Sequence, residues 1–366
     1  MEFKVMKNFK EGFPIFGEYI YANTASSGLI HESVIEWRRQ HDIDFLNGAS
    51  MFRMANANTI GETRAAVGTF FGCDVENVAL VQNFSLGLNM LLEGMDKNLK
   101  VLLLENDYPS VNWSFENRGF PISYCKIDVD LEENIRSKIE AGQIAILALS
   151  LVQWVNGIKV DVGFLSRLKK DFPDLFIIAD GTQFCGTSEF DFASSAIDVL
   201  GASSYKWLLS GYGNGFFLFK DRVKEFSRVE TIGFNAAGAN QYNQYKIRFA
   251  KHFEPGHLDT LNFGTLKQAL GFMTAIGKQE ITQQLKVLSD KGKKEFSALG
   301  LLEDAVVSRK EHSTIFNIKG DDGLFQHLTD NKVLCSQRGI GIRFSFHFYN
   351  TIDDIERIVE IIKERV

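Results

Sequence analysis

The sequence predicts a doubly wound α/β protein with a second, smaller α+β part. Three observations lead there. Short β-type runs alternate with helical patterns through most of the chain. Most of these runs are continuously apolar rather than alternating, which marks strands buried on both faces of a mainly parallel sheet. The C-terminal stretch changes character, closing with strand-like runs and one amphipathic helix.

In chain order, VALVQN (78–83), KVLLLEN (100–106), AILALSLVQW (145–154), LFIIADG (175–181), AIDVLGASS (196–204) and GFFLFK (215–220) read as the strands of the main sheet. SLGLNMLLEG (85–94) and VGFLSRLKKDF (162–172) read as helices between them. In such sheets ligands sit beyond the carboxyl ends of the strands. A long helical region from Thr265 to Leu299 connects the two parts. Beyond it STIFNIKG (313–320), VLCSQRG (333–339) and IGIRFSFHF (340–348) read as strands. TIDDIERIVEIIKERV then reads as a final helix. Thr351 is its expected N-cap, with Asp354 at the capping-box position. Ile355, Ile358, Val359 and Ile362 form its apolar stripe, and Lys363 and Arg365 suit its C-terminal end.

Composition narrows the function classes. A chain of 366 residues suggests about two domains. The formal charge of −6, with no clustered Lys and Arg, argues against nucleic-acid binding. Lys169-Lys170 and Lys293-Lys294 read as solvated helix faces. No apolar run reaches the roughly 18 residues of a membrane helix, and the N-terminal stretch lacks a signal-peptide core. Cys73, Cys125, Cys185 and Cys335 form no CxxC pair and no metal spacing with histidine, so neither a disulfide framework nor a metal site is expected. A cytoplasmic setting fits these features.

Three strand ends carry chemical interest. In FIIADGTQFCG, Asp180 follows an apolar strand; alone it reads as a turn aspartate. In ALVQNFSLGLNMLLEG, a strand runs through Asn83, Phe84 and Ser85 into a helix, whose free N–H groups could cradle an anion. Alone, Ser85 reads equally well as a simple N-cap. In SSYKWLLSGYGNGFF, Lys206 sits among small hydroxyls and aromatics before a glycine-rich turn; alone it reads as an ordinary exposed lysine. Together they supply an anion cradle, a carboxylate and an amine at one sheet edge. Pyridoxal phosphate needs these parts: an amine for its aldehyde, a carboxylate beside its ring nitrogen, and a helix start for its phosphate.

At this point the chain resembles the class V aminotransferase-like group of fold-type I pyridoxal-phosphate enzymes, which includes cysteine desulfurases, kynureninases and isopenicillin N epimerase-like proteins. The resemblance runs from YANTASSG near residue 21 to IRFSFHFYNTIDDIERI near residue 358, and rests on the joined pattern DGTQ…DVLGASSYKWLLSGYGNGFF. It implies a large, mainly parallel α/β/α domain over 21–265 and a smaller α+β domain from 1–20 and 266–366. It also implies a homodimer with the active site at the subunit interface, and an amino acid or amine as substrate.

The resemblance assigns roles residue by residue. Lys206 would hold the cofactor and move the Cα proton, and Asp180 would pair with the ring nitrogen. Gln183 would lie near the ring 3-hydroxyl, and Tyr108 would stack on the ring unless it is a plain core tyrosine. Ser203, Tyr205, Phe84 and Ser85 would hold the phosphate. Arg343 would grip the substrate carboxylate, unless it serves a structural ion pair; Asn23, Ser26 and Ser27 would line the substrate pocket. His257 stands where relatives carry a threonine that reaches the partner's phosphate, and Thr260 is the other candidate.

Two departures bear on the reaction. Gln153-Trp154 stands where desulfurases show Ser-Asn, and no cysteine follows Arg338-Gly339. Cys335 precedes that pair and reads as a strand cysteine. The leading expectation is an aminotransferase-type enzyme. The alternatives are a cysteine desulfurase or selenocysteine lyase-like activity, an epimerase, or a cofactor-binding regulatory protein without turnover.

Overall fold

The first strand, β1 (Ile20–Tyr21), is short and pairs in parallel with a strand near the other end of the chain. The structure, a computed structural model, describes residues 9–365. The expected N-terminal share of the smaller domain, 1–20, therefore begins outside the described residues.

The main sheet contains β2 (Val78–Val81), β3 (Val101–Leu104), β4 (Ile122–Cys125), β5 (Ile146–Ser150), β6 (Phe176–Asp180), β7 (Val199–Ser203) and β8 (Gly215–Phe219). Its order is β2-β8-β7-β6-β5-β3-β4. Strands β4, β3, β5, β6 and β7 are parallel, while β8 runs antiparallel to both its neighbours. The α/β expectation holds. All residues of β2, β3, β5, β6, β7 and β8 are buried, as their continuous apolar runs required. Alternate residues feed two separate apolar layers. Leu80, Leu102, Leu147, Ile177, Leu200 and Phe216 face one. Ala79, Val101, Ile146, Phe176, Val199 and Phe217 face the other. The strand missed by sequence reading is β4. It is an edge strand, and Ile122, Ser123 and Tyr124 are only half-buried, so its apolar signal is weak.

The expected helix over 85–94 is observed as Phe84–Glu93, and it packs closely on the sheet. A Cβ on its Gly87 would stand 2.3 Å from the Phe217 ring, and one on Gly201 of β7 would stand 2.4 Å from the same ring. Phe217 is thus clasped between two glycines. The expected helix over 162–172 forms as Val162–Asp171.

The C-terminal part contains β9 (Ile315–Lys319), β10 (Val333–Leu334), β11 (Ser336–Arg338) and β12 (Gly341–Ser345). An antiparallel sheet runs β11-β12-β9, while β10 pairs with β1. The single strand expected over 333–339 is therefore two strands in two sheets, with half-buried Cys335 at the break. The helical region expected over 265–299 is also two helices, Thr260–Ile276 and Lys278–Ala298, parted at Gly277 with φ 105°. The final helix, Ile352–Lys363, has the expected capping box between Thr351 and Asp354. Residue 23 bridges to Ser345, and the 22 and 345 backbones hydrogen-bond. The N-terminal segment is thereby stitched to the C-terminal sheet. Among the described residues, no helix is long and apolar enough to cross a membrane.

Candidate active site

The carboxyl ends of the parallel strands meet at one edge. Ser150, Asp180 and Gly201 lie level across β5, β6 and β7. Because β8 returns antiparallel, the 204–214 connection needs no crossover and stays at that edge. It carries Lys206. The loop is braced from within: Asn214 donates to the Ser210 carbonyl and accepts from the Ser210 hydroxyl, and its own carbonyl accepts from Ser204 N–H. Gly211 and Gly213 take φ of 69° and 87°, which glycine tolerates without steric cost. Leu209 sits at φ 56°, a region that side chains disfavour, so the turn after Lys206 stores local strain.

A cavity opens there, with about 550 Å³ of atom-free space including its open mouth. Its walls bring together Phe84, Ser85, Tyr108, Asp180, Gln183, Ser203, Tyr205 and Lys206, all expected from sequence. Lys206 is 7% exposed. Its Nζ stands 5.7 Å from the Tyr108 ring centre and 5.5 Å from that of Tyr205. Among the described residues it makes no hydrogen bond and no ion pair within contact distance. Burial pulls the Lys206 amine below its usual pKa, the Asp180 charge holds it up, and Arg343 and Arg338 push it further down. Burial likewise pushes the Asp180 carboxyl up, opposed by Thr182, which donates its N–H at 2.8 Å, and by Lys206.

The phosphate-side groups differ in detail from expectation. The Phe84 N–H is already donated to Ser203 Oγ at 2.9 Å, so it is not free for a ligand. Ser203 keeps its own hydroxyl proton to give. Asn83 caps the helix by accepting from Leu86 N–H, and Ser85 Oγ donates to Ser110 Oγ. The Ser85 N–H has no partner among the described residues. The Tyr205 ring is stacked on Tyr212, 4.4 Å between centres.

Gln183 is more tied down than expected. Its amide donates to the Ala25 carbonyl at 3.1 Å and accepts from Trp207 Nε1 at 2.6 Å, leaving one N–H for a ligand. Tyr108 starts the helix Pro109–Glu116 and meets Trp154 edge-on at 5.9 Å. Asn83, Ser150, Val152, Trp154 and Thr182 also line the cavity and were not singled out as site residues. Thr182 had a readable signal, since it lies inside the DGTQ pattern; it accepts from Ser203 N–H and so ties two strand ends together. Asp107 is a buried carboxyl that accepts from Ser150 N–H and Tyr108 N–H, and burial pushes its pKa up. It holds the Tyr108 loop against β5.

Arg343 is 2% exposed and has no acidic partner within ion-pair distance among the described residues. It donates to the Trp154 carbonyl and to Ser26 Oγ at 2.7 Å, and its Nε has no partner. Burial, then Arg338, lowers its pKa to about 10. Ser336 Oγ joins Ser26 at 3.0 Å and donates to Asn23 Oδ1 at 2.7 Å. The Ser27 carbonyl accepts from the Tyr21 hydroxyl, and Asn23, Ser26, Ser27 and Arg343 are not among the residues lining the cavity. His257 is exposed and is not among the residues lining the cavity. Thr260 Oγ1 pairs with His41 Nε2 at 3.0 Å.

Residues 21–358 match the family described as Aminotransferase class-V. The chain belongs to that family. Isopenicillin N epimerase from Amycolatopsis lactamdurans is 23% identical to this class-V protein over 82% of this chain and 83% of its own length. A probable cysteine desulfurase from Ureaplasma parvum serovar 3 is 21% identical over 98% of this chain and 97% of its own. Among solved structures, the cysteine desulfurase from Thermococcus onnurineus NA1 superposes with TM-score 0.85 over 97% of this chain and 96% of that one, at 18% identity. The cystine C–S lyase C-DES, in complex with its product cysteine persulfide, superposes with TM-score 0.84 over 95% and 98%, at 16% identity. The cofactor of this class-V aminotransferase-like enzyme is pyridoxal 5′-phosphate. The site fits it: a buried amine with no hydrogen-bond partner among the described residues, a buried carboxyl in the same cavity, and an unused N–H at a helix start.

Proposed function

We propose that this protein acts at the Cα of an amino acid, with aminotransferase-type chemistry as the leading outcome. Arg343 carries the reading. It is a buried guanidinium with no acid within ion-pair distance among the described residues, it donates to the carbonyl of cavity-lining Trp154, and a guanidinium matches a carboxylate with two parallel hydrogen bonds. When bound, pyridoxal phosphate supplies an electron sink for the pair left at Cα.

The residues divide the work. Ser203, Ser85 and Tyr205 would hold the phosphate, Tyr108 would cover the ring, and Gln183 would offer its spare N–H to the ring hydroxyl. Asp180 would keep the ring nitrogen protonated, an electrostatic stabilisation aimed at developing charge. Lys206, its amine made less cationic by burial, takes and returns the Cα proton. Asn23 and Ser26 set the Arg343 fork. The cofactor-binding part spans 21–265 and the carboxylate-binding part is completed from 266–366.

A second reading is C–S lyase chemistry, favoured by the likeness to C-DES, whose product is cysteine persulfide. It would run without a thiolate of this chain, because burial pushes the thiols of Cys73, Cys125, Cys185 and Cys335 all up. The enzyme is read as a homodimer. Phe45, Leu46, Met51 and Met54 are exposed on two adjacent helices, an apolar surface suited to a second copy.

Purified protein with cofactor should be yellow and bleach with borohydride, and Lys206→Ala should remove that colour along with more than a thousandfold of turnover. An unchanged spectrum in Lys206→Ala rules out its role. Mixing the wild type with a panel of amino acids separates the two readings. Conversion of the cofactor to its amine form selects aminotransfer, whereas keto acid and sulfide release without that conversion selects the lyase.

A further inference from the structure

A second guanidinium shares the face of Arg343. In an antiparallel ladder directly opposed residues point to the same side, and directions alternate along each strand. Ser336 opposes Arg343, and Arg338 opposes Gly341, across β11 and β12. Arg338 is therefore the diagonal neighbour of Arg343 on one face, at a backbone separation of roughly 7–8 Å. That face is the one turned to the site, since Arg343 on it donates to the carbonyl of Trp154, which lines the cavity, and Ser336 shares its Ser26 partner.

The hairpin is fixed rather than loose. Asn317 of β9 donates to the Arg338 carbonyl at 2.9 Å. Gly339 makes the turn at φ 57°, and a Cβ there would stand 3.6 Å from Val155, the neighbour of the cavity-lining Trp154. Arg338 donates to the adjacent Gln337 carbonyl and has no acidic partner within ion-pair distance among the described residues. Its charge reaches both Lys206 and Arg343. Arg338 and Arg343 thus share one face, and neither has an acidic partner within ion-pair distance among the described residues. An α-carboxylate on Arg343 neutralises only one of them.

We propose that Arg338 binds a second carboxylate of the substrate, so that the preferred substrate is an amino acid with two carboxylates. This rests on the reading of Arg343 as the α-carboxylate site. The second carboxylate comes either from an acidic side chain, as in aspartate or glutamate, or from the far end of a disulfide-linked amino acid such as cystine.

The test uses the holoenzyme. Cofactor spectra and turnover are followed with aspartate, glutamate and cystine against alanine and norvaline, for wild type, Arg338→Gln and Arg338→Lys. Succinate and propionate serve as non-reacting competitors. The wild type should prefer at least one dicarboxylate, and succinate should compete at least tenfold better than propionate. Arg338→Gln should lower the dicarboxylate-to-monocarboxylate ratio of kcat/KM about tenfold or more, mainly through KM, and Arg338→Lys should restore part of it. Whichever of glutamate and cystine shows the drop identifies the source. Equal losses on both substrate classes, or equal competition by succinate and propionate, would overturn the assignment of Arg338 while leaving Arg343 in place. If no amino acid changes the wild-type spectrum, the reading of Arg343 falls and this proposal falls with it.

Discussion

Burial moves the two central groups of the site in opposite directions, pulling the Lys206 amine down and pushing the Asp180 carboxyl up. Lys206 and Asp180 were legible because Asp180 ends a buried strand and Lys206 closely follows another, each inside a dense local pattern. The engagement of the Gln183 amide was not legible, because its partners, Ala25 and Trp207, come from distant turns. His347 went unnoticed for the same reason. It is fully buried, its ring contacts the Trp207 carbonyl at 2.9 Å through Nε2, and its Nδ1 has no partner. Burial lowers its pKa to about 3. An unfolded histidine titrates near 6.5. The folded value is depressed, so the stabilisation is complete above about pH 6.5 and is lost as pH falls towards 3. Between pH 6 and 4, His347→Gln should flatten the fall in unfolding free energy by about 1.4 kcal/mol per pH unit. Denaturant titrations at several pH values measure this, and an unaltered slope would show the ring is already charged in the fold. Half-buried His312, lowered to about 4 by desolvation, adds a similar slope of its own.

Whole elements were read best where their pattern is strong and local. The final helix announced its cap and stripe, and both are present. The break at Gly277 was not apparent, since a lone glycine in a helical pattern does not say whether the chain bends there. The helix Phe84–Glu93 is held to the sheet by two glycines around Phe217, a relation between elements that no single stretch contains. Gly87→Val should therefore lift the helix start, weaken cofactor affinity about tenfold or more, and cost about 1–3 kcal/mol of stability. Gly61 makes the contrast: in the helix Thr59–Phe71 a Cβ there meets nothing within 4 Å. Gly61→Ala should add about 0.5–1 kcal/mol and leave cofactor binding unchanged. Cofactor titration and thermal unfolding of the pair decide it; similar behaviour of the two variants would refute the clasp.

At the scale of the whole molecule, continuous apolar strands made the fold class visible, whereas assembly leaves only an indirect trace. His257 is exposed and absent from the cavity wall, so its expected role depends on a neighbour's site. The apolar side chains of Phe45, Leu46, Met51 and Met54 suggest where that neighbour docks, and Ile232 and Phe234 are exposed as well. Sedimentation should give twice the 41.3 kDa chain mass. Leu46→Glu with Met54→Glu should shift it to the single-chain mass and weaken cofactor retention. A wild type that sediments as one chain would end the dimer reading.

The turn joining β11 to β12 has one more effect. Only Gly339 and Ile340 lie between the paired Arg338 and Gly341, and neither is a cysteine. Under the C–S lyase reading, this hairpin would supply no thiol to carry the released sulfur.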